Sequence, residues 1–231
     1  PICFDFCDLT AVFHKKWIIE FTTLLIEKDL KLTWAPPVGT RSEVFSAEVV
    51  RLMRKSGCSY INFSPESGSP EILKKIKKRI NLHKMFESIK YCKNEQLPVR
   101  INLIIGFPFE KRKHILQTIL FQWKVALAGG DDSIIHFFSP YPGSEIFNDL
   151  VKDGTIKDLD KDYYKSLMSY MDLNTMTNFC KSLGMRELGF YRLIGMLGFY
   201  FISYLFYPWR IIRTIKCLLN ITSSHSILEQ R

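Results

Sequence analysis

The sequence lacks the short motifs that mark several common enzyme classes. It contains neither a Gly-x-Ser-x-Gly nucleophile motif nor a phosphate-binding glycine loop. Its five histidines stand apart, without the spacing of metal ligands. It also contains no internal repeat and no low-complexity run. The sequence therefore gives no support to a serine hydrolase, a P-loop nucleotidase or a histidine-bound metal centre.

Cysteine is also sparse, with six residues scattered through a chain of 231. A chain of this length buries a sufficient core without covalent links, so we predict reduced thiols in a cytosolic protein. The first residue is Pro1 and not Met. We therefore expect a fragment or a processed chain, and the lack of a signal peptide excludes no compartment.

Acidic residues are fewer than basic ones, 23 against 32, which gives a formal net charge of +9. Such an excess favours anionic partners in general. Over most of the first 150 residues, however, the basic residues are mixed with acidic ones, as in EILKKIKKRINLHK, which is typical of solvated helix surfaces. We expect no nucleic-acid partner.

The first 150 residues alternate short apolar runs with longer amphipathic stretches. This alternation predicts parallel strands joined by right-handed helical crossovers. An open doubly wound sheet and a (β/α) barrel satisfy the pattern equally well. Ser42 is the expected N-cap of the helix that precedes Gly57. The five predicted strands lie near residues 2–8, 31–36, 59–64, 99–106 and 133–139.

Distinctive polar residues follow several of these strands, where parallel α/β proteins bind their ligands. Three segments carry the pattern: FSPESGSPEILKKIKK, INLIIGFPFE and FFSPYPGSEIF. In their order and separation they resemble strand-end motifs of radical S-adenosylmethionine (SAM) enzymes. The resemblance is strongest to the branch that usually carries a cobalamin-binding domain, such as anaerobic porphyrin cyclases and hopanoid methylases. It covers roughly residues 2–150.

The resemblance implies an α/β fold: a partial (β/α)6 TIM-like radical SAM barrel that lacks its first strand, followed by an α-helical C-terminal extension. Residues 1–150 would form strands two to six of the barrel. Residues 151–186 read as a polar and aromatic helical subdomain, and residues 187–231 as an apolar, basic tail.

The same resemblance implies binding of SAM by residues at the strand ends. Glu66 would accept hydrogen bonds from the ribose hydroxyls or the amino group of SAM, and Gly68 would let the backbone approach closely. Arg41 would pair with the SAM carboxylate or with Glu66. The alternatives are helix capping for residues 66–68, a core hydrogen bond for the residue at 102 and a rim salt bridge for Arg41. The predicted cofactor-binding residues are Glu66, Ser67, Gly68, Asn102, Gly106, Pro108 and Arg41.

Two positions of the INLIIGFPFE segment bear on this prediction. Phe109 stands where the family usually has a glycine. Glu110 reads as a first-turn residue of the next helix, at the favourable end of the helix dipole. Catalytic residues cannot be named from the sequence.

The cluster of radical SAM enzymes requires a Cys-x-x-x-Cys-x-x-Cys loop, which supplies thiolates to three irons of a [4Fe-4S] cluster. Cys3 and Cys7 match its first half, but Thr10 occupies the third position, and the resemblance places this stretch on strand two. We therefore expect the cluster ligands and a possible cobalamin domain upstream of Pro1, and predict no metal ligand within the chain. The expected partners are an electron donor such as flavodoxin or ferredoxin and a small-molecule or lipid-like substrate.

The tail is uncharged from Leu193 to Trp209 and continues as a basic amphipathic stretch. This pattern favours a helix or helical hairpin on a membrane surface, peripheral to the cytoplasmic face of the cell membrane. The alternative is a helix packed on the barrel or in a dimer interface. For the function as a whole, the alternative to an enzyme is a membrane-associated, non-catalytic protein with a degenerate barrel.

Overall fold

The computed structural model describes residues 2–8, 12–168 and 177–219. The strands form where short apolar runs end in Gly, Pro or polar residues. They overlap all five predicted strands. They are β1 (Ile2–Asp5), β2 (Leu32–Ala35), β3 (Ile61–Glu66), β4 (Val99–Ile105) and β5 (Asp132–Phe137).

All described strand pairs are parallel. β1 pairs with β2, and β3 pairs with β4, which in turn pairs with β5. Two isolated parallel bridges connect the two sheets: Trp34 of β2 pairs with Cys58, just before β3, and Thr40, after β2, pairs with Phe63 of β3. Neighbours in space therefore follow the order of the chain, whereas a doubly wound sheet reverses its order at a switch point. This order confirms the predicted partial TIM-like barrel.

Helices follow each strand, as the alternation of the sequence predicts. The expected cap at Ser42 is wrong: Ser42 begins a short 3-10 turn, and Ser46 caps the helix by accepting a hydrogen bond from the Val49 amide at 3.4 Å. The helices are α1 (Lys15–Glu27), α2 (Ala47–Lys55), α3 (Pro70–Lys75), α4 (Leu82–Asn94), α5 (Arg112–Ala128), α6 (Glu145–Lys152), α7 (Lys161–Met168), α8 (Met185–Phe206) and α9 (Trp209–Leu218).

Burial alternates strictly along β4. Ile101 and Leu103 are buried and belong to the main core, together with residues of α4 and α5. Arg100, Asn102 and Ile104 are less buried and point to the opposite face. Because successive side chains of a strand point to opposite sides, this second face is the inner face of the partial barrel.

A second, smaller core lies at the carboxyl ends of the strands. There Phe107 and Phe138, which follow β4 and β5, pack with Phe147, Tyr163 and Phe179. The segment predicted as a helical subdomain thus covers part of the barrel mouth. Its residues 169–176 lie outside the described part of the chain.

Helix α8 packs on α5 and β5, and its Leu188 and Phe199 belong to the main core. By length and composition alone it is also apolar enough to cross a membrane. One face of α8 is therefore packed on the barrel, which was the alternative to a helix on a membrane surface. The division of the chain at residues 150 and 186 stays a prediction, and residues 220–231 of the tail lie outside the described residues.

Candidate binding site at the strand ends

Glu66 ends β3 in an unusual backbone conformation. The register between β3 and β4 shifts between Phe63 and Glu66, and Glu66 has φ +69°. A left-handed conformation costs a residue other than glycine about 1–2 kcal/mol. Such bulges and strained residues cluster at functional sites, where they redirect a side chain. The sequence therefore holds Glu66 in this orientation at an energetic cost.

Glu66 lies between two cavities at the barrel mouth. One has a volume of about 420 Å³ and a largely polar lining that includes Thr40, Arg41 and Ser64. The other has a volume of about 520 Å³ and a largely apolar lining. Glu66 and Lys78 line both. The other residues around the apolar cavity are Ile76, Ile104, Phe107, His136, Phe137, Phe138, Ser139, Tyr141, Ser144 and Ile146.

Lys78 is the ionic partner of Glu66, with 2.9 Å between Nζ and Oε1. The Glu66 side chain is 22% exposed. Burial raises the pKa of its carboxyl, and the positive charge of Lys78 partly offsets that effect. Only Oε1 contacts Lys78, so the other oxygen is available to accept a hydrogen bond from a ligand hydroxyl.

Arg41 does not pair with Glu66, contrary to one of the two pairings expected. It lies exposed on the wall of the polar cavity, and it forms no ion pair within residues 2–8, 12–168 and 177–219. Lys77 and Arg79 line the same cavity. Lys77 pairs with Glu145, and Glu43 also lines the cavity, so the positive charge available to a carboxylate is that of Arg41 and Arg79.

Ser67 and Gly68 face helix α5 and line neither cavity. The Ser67 hydroxyl is 3.0 Å from the Thr118 hydroxyl, which also accepts a hydrogen bond from the Gly68 amide at 3.1 Å. A Cβ atom at Gly68 would lie 2.4 Å from Cβ of Phe121. The glycine is therefore required by the close contact between this turn and α5, and both residues act in packing.

Gly106 and Pro108 lie buried in the turn between β4 and α5. Gly106 has φ +91°, and a Cβ atom there would lie 3.3 Å from Leu188. Gly106 lines neither cavity. Within this turn, the Phe107 side chain is the one that lines the apolar cavity. Phe109 stacks on Phe107, with ring centroids 6.0 Å apart, and belongs to the second core.

Glu110 braces the same turn and is not in the first turn of α5, which begins at Arg112. Its Oε2 accepts hydrogen bonds from the amides of Gly106 at 2.6 Å and Phe107 at 3.2 Å. Burial raises its pKa to about 7, although the two amides act in the opposite direction. The carboxyl therefore fixes the backbone on which the cavity wall is built.

Asn102 lies deeper, on the inner face of β4. Its Nδ2 donates to the Ser64 hydroxyl at 3.4 Å, and Ser64 in turn lines the polar cavity. The structure thus contains the core hydrogen bond that was one of the two alternatives for Asn102. Its link to the cavity runs through Ser64.

Lys78 and His136 were not among the site residues predicted from the sequence. Lys78 belongs to a lysine-rich run that reads as a solvated helix surface. His136 is opposite Ile104 in the β4–β5 register, on the inner face. Burial, reinforced by the charge of Arg192, lowers its pKa to about 4, so the imidazole is neutral at physiological pH. The period-two alternation of β5 was the signal that could have placed it there.

The family model described as "Radical SAM superfamily" matches residues 13–121, which include β2, β3, β4 and Glu66. The match covers 109 of the 231 residues, just under half of the chain, and agrees with the resemblance on which the strand-end prediction rests. The matched region begins after Cys3 and Cys7, which are exposed free thiols. The described residues contain no group of three or more His, Cys, Asp or Glu side chains placed to hold a metal ion.

Three proteins are similar in sequence to this chain. An uncharacterized methyltransferase of Pyrococcus horikoshii is 27% identical over 75% of this chain and 37% of its own length. The hopanoid C-3 methylase of Methylococcus capsulatus is 28% identical over 52% of this chain and 22% of its own. The anaerobic magnesium-protoporphyrin IX monomethyl ester cyclase of Rubrivivax gelatinosus is 22% identical over 68% of this chain and 28% of its own.

These relatives confirm the predicted branch, since the sequence resemblance pointed to hopanoid methylases and porphyrin cyclases. Each of these relatives is named as an enzyme. The chain spans 37% or less of the length of each of these three relatives.

Proposed function

We propose that the two cavities beside Glu66 bind SAM as part of a radical SAM enzyme. The observation that supports this most directly is Glu66 itself, held at φ +69° between an apolar cavity and a polar one. SAM has a matching distribution of chemistry: a flat adenine, a ribose with two hydroxyls, and a methionine with a carboxylate. Each cavity is within the size range of roughly 300–1,000 Å³ typical of small-molecule sites.

The residues that line the two cavities suit the different parts of SAM. The apolar walls formed by Ile104, Phe107 and Phe138 suit the adenine. The free carboxylate oxygen of Glu66 suits the ribose hydroxyls. Arg41, together with Arg79, suits the methionine carboxylate. Asn102 would act through Ser64, and Ser67, Gly68, Gly106 and Pro108 would act by fixing the turns.

When SAM is bound to a reduced [4Fe-4S] cluster, it supplies a 5′-deoxyadenosyl radical for hydrogen abstraction or, together with cobalamin, a methyl group for transfer. A cobalamin requirement is suggested here by the hopanoid methylase relative. The residues of this chain would bind and orient SAM and exclude water from the apolar cavity. The six cysteines do not contain the three-cysteine spacing, so the proposal assigns no cluster ligand to residues of this chain.

The test is SAM binding by calorimetry, under anaerobic conditions, with the full-length protein and its cluster reconstituted. Glu66→Gln should weaken binding roughly ten- to hundredfold, the equivalent of losing a charged hydrogen bond of about 1.5–3 kcal/mol. The matched control is Glu48→Gln, which makes the same change of charge on the exposed surface of α2. It should leave the affinity unchanged.

Equal SAM affinities for the wild type, Glu66→Gln and Glu48→Gln would refute the assignment of this face. A wild-type protein that binds its cluster but no SAM would favour the non-catalytic alternative. Gly106→Val is unsuitable as a test, because valine at φ +91° would strain the backbone and crowd Leu188 whether or not a ligand binds there.

A further inference from the structure

Helix α8 presents an apolar stripe to solvent on the face opposite the barrel. Its members recur every three or four residues, which is the spacing of one helix face. Phe201 is 69% exposed and Leu197 is 61% exposed, although both are large apolar side chains. Isolated exposed leucines are common, but a continuous stripe marks an interaction surface. The stripe consists of Phe190, Leu193, Leu197, Phe201 and Leu205.

Helix α9 is amphipathic, and it is oriented with its polar side toward the protein. Arg210 is buried and donates hydrogen bonds to the Gly129 and Gly130 carbonyls at 2.8 and 2.7 Å. Arg210 and Arg213 both pair with Asp131. The outward side is apolar instead. Besides Lys216, its exposed residues are Trp209, Ile211, Ile212 and Ile215, followed by Leu219 just after the helix.

This orientation is the reverse of that of an ordinary surface helix, which buries its apolar side in the core. The ionic contacts of α9 hold its isoleucines away from the protein. Unfavourable exposure of this kind is relieved only if another apolar medium covers the outward side. We call the outward sides of α8 and α9 together the apolar face.

A simple membrane span does not fit this arrangement, because α8 is fitted closely to the barrel. A Cβ atom at Gly195 would lie 2.6 Å from Ile135 of β5, and one at Gly198 would lie 2.4 Å from the Trp123 indole. The Trp123 indole also donates to the Gly195 carbonyl at 3.2 Å. Moving α8 into a bilayer core would break these contacts and expose the outer side of β5.

The charges near the apolar face identify the medium that suits it. Across the sequences of α5, α8 and α9, Glu187 is the only acidic residue, and it is neutralised by Arg112. Four basic residues of these helices pair with acidic side chains: Arg112, Lys113, Arg210 and Arg213. Arg186, one turn before Phe190, and Lys216, next to Ile215, are exposed, and neither forms an ion pair within the residues that the structure describes. A second copy of the chain would bring these positive charges against each other, whereas an anionic lipid surface complements them.

We propose that the apolar face docks the protein on the surface of a bilayer that contains anionic phospholipid. α8 and α9 lie on the membrane while α8 remains packed on the barrel. Tyr204 and Trp209 lie where the two helices meet, and such residues favour the interface between headgroups and acyl chains. This proposal does not depend on SAM binding.

The test is flotation of the full chain with vesicles of phosphatidylglycerol and phosphatidylcholine, compared with pure phosphatidylcholine. The wild type should float with the anionic vesicles, and flotation should fall in neutral vesicles and at high salt. The double variant Leu197→Glu/Phe201→Glu should bind at least about tenfold more weakly, because each apolar side chain loses its burial in lipid. The matched control is Leu24→Glu/Leu30→Glu, whose leucines are 53% and 50% exposed near the C-terminal end of α1.

Each outcome decides the proposal. It is supported if the control floats like the wild type and the α8 variant, with an unchanged circular dichroism spectrum, remains in the soluble fraction. It is overturned if the wild type does not float, or if both double variants float equally. It is also overturned if light scattering without lipid shows a dimer that the α8 variant alone dissociates while vesicle binding is unchanged, because the face would then bind a second copy.

Discussion

Arg210 connects α9 to the barrel, and its removal provides a quantitative test of how that helix is held. Arg210→Met keeps the length and the apolar stem of the side chain but removes the charge. The variant loses the hydrogen bonds to Gly129, Gly130 and Ser203 and the ion pair with Asp131. Breaking a buried ion pair by removing one partner costs about 3–5 kcal/mol. Asp131 keeps Arg213 at 3.2 Å, which places the expected loss near the lower limit, at about 3 kcal/mol.

The assay is urea unfolding followed by circular dichroism, with hydrogen exchange measured for the amides of α9. The control is Lys216→Met, which removes one positive charge from the exposed side of the same helix and should change the free energy of unfolding by less than about 0.5 kcal/mol. If Arg210→Met costs less than about 1 kcal/mol and α9 keeps its protection from exchange, the ionic anchor is not what orients the helix.

Two further predictions concern the turns at the barrel mouth. Gly68→Ala should lower the free energy of unfolding, measured by urea titration, by about 1–3 kcal/mol, because the new methyl group overlaps Phe121. The control is Gly184→Ala, where no atom lies within 4 Å of the added Cβ, and it should change the free energy of unfolding by less than about 1 kcal/mol. Equal losses in the two variants would contradict the packing role of Gly68. Glu110 has its pKa raised to about 7 in the folded state, so the folded protein binds the proton more tightly and the stability contributed at this site falls as pH rises from about 4.5 to about 7. Glu110→Gln should therefore gain stability relative to the wild type over that interval, and a stability difference that is constant with pH would refute the assignment.

The strands could be predicted because each apolar run has a length and an ending that suit only a buried parallel strand. Their order could not, since a doubly wound sheet and a barrel place the same hydrophobic pattern on their strands. The decision depends on pairing between distant residues, such as the bridge from Thr40 to Phe63. The error at Ser42 has a similar cause, because Ser42 and Ser46 are both acceptable N-caps and only the backbone path selects one.

Site residues could be predicted where the residue type itself limits the chemistry. They could not be predicted where the role depends on which way a turn directs its residues. Glu66 is an acid at the end of an apolar strand, and the structure places it between the two cavities. Ser67 and Gly68 are its neighbours, but the bulge turns them toward Thr118 and Phe121. Lys78 was missed for the opposite reason, because the charge run that contains it resembles solvent-exposed surface and only the fold brings one of its lysines to Glu66.

The positions of the site and of the apolar face on the barrel are compatible with both being used at once. The cavities lie beyond the carboxyl ends of the strands, beside Glu66 and Phe138. α9 is anchored at the other end, since Arg210 binds the segment that precedes β5. α8 runs between these two ends, from Leu188 beside Gly106 to Tyr207, whose hydroxyl donates to the Leu127 carbonyl at 2.7 Å. A membrane that contacts the outer side of α8 and α9 would therefore lie along the barrel wall and leave the cavities open, so the face and the site can be tested by separate variants in the same protein.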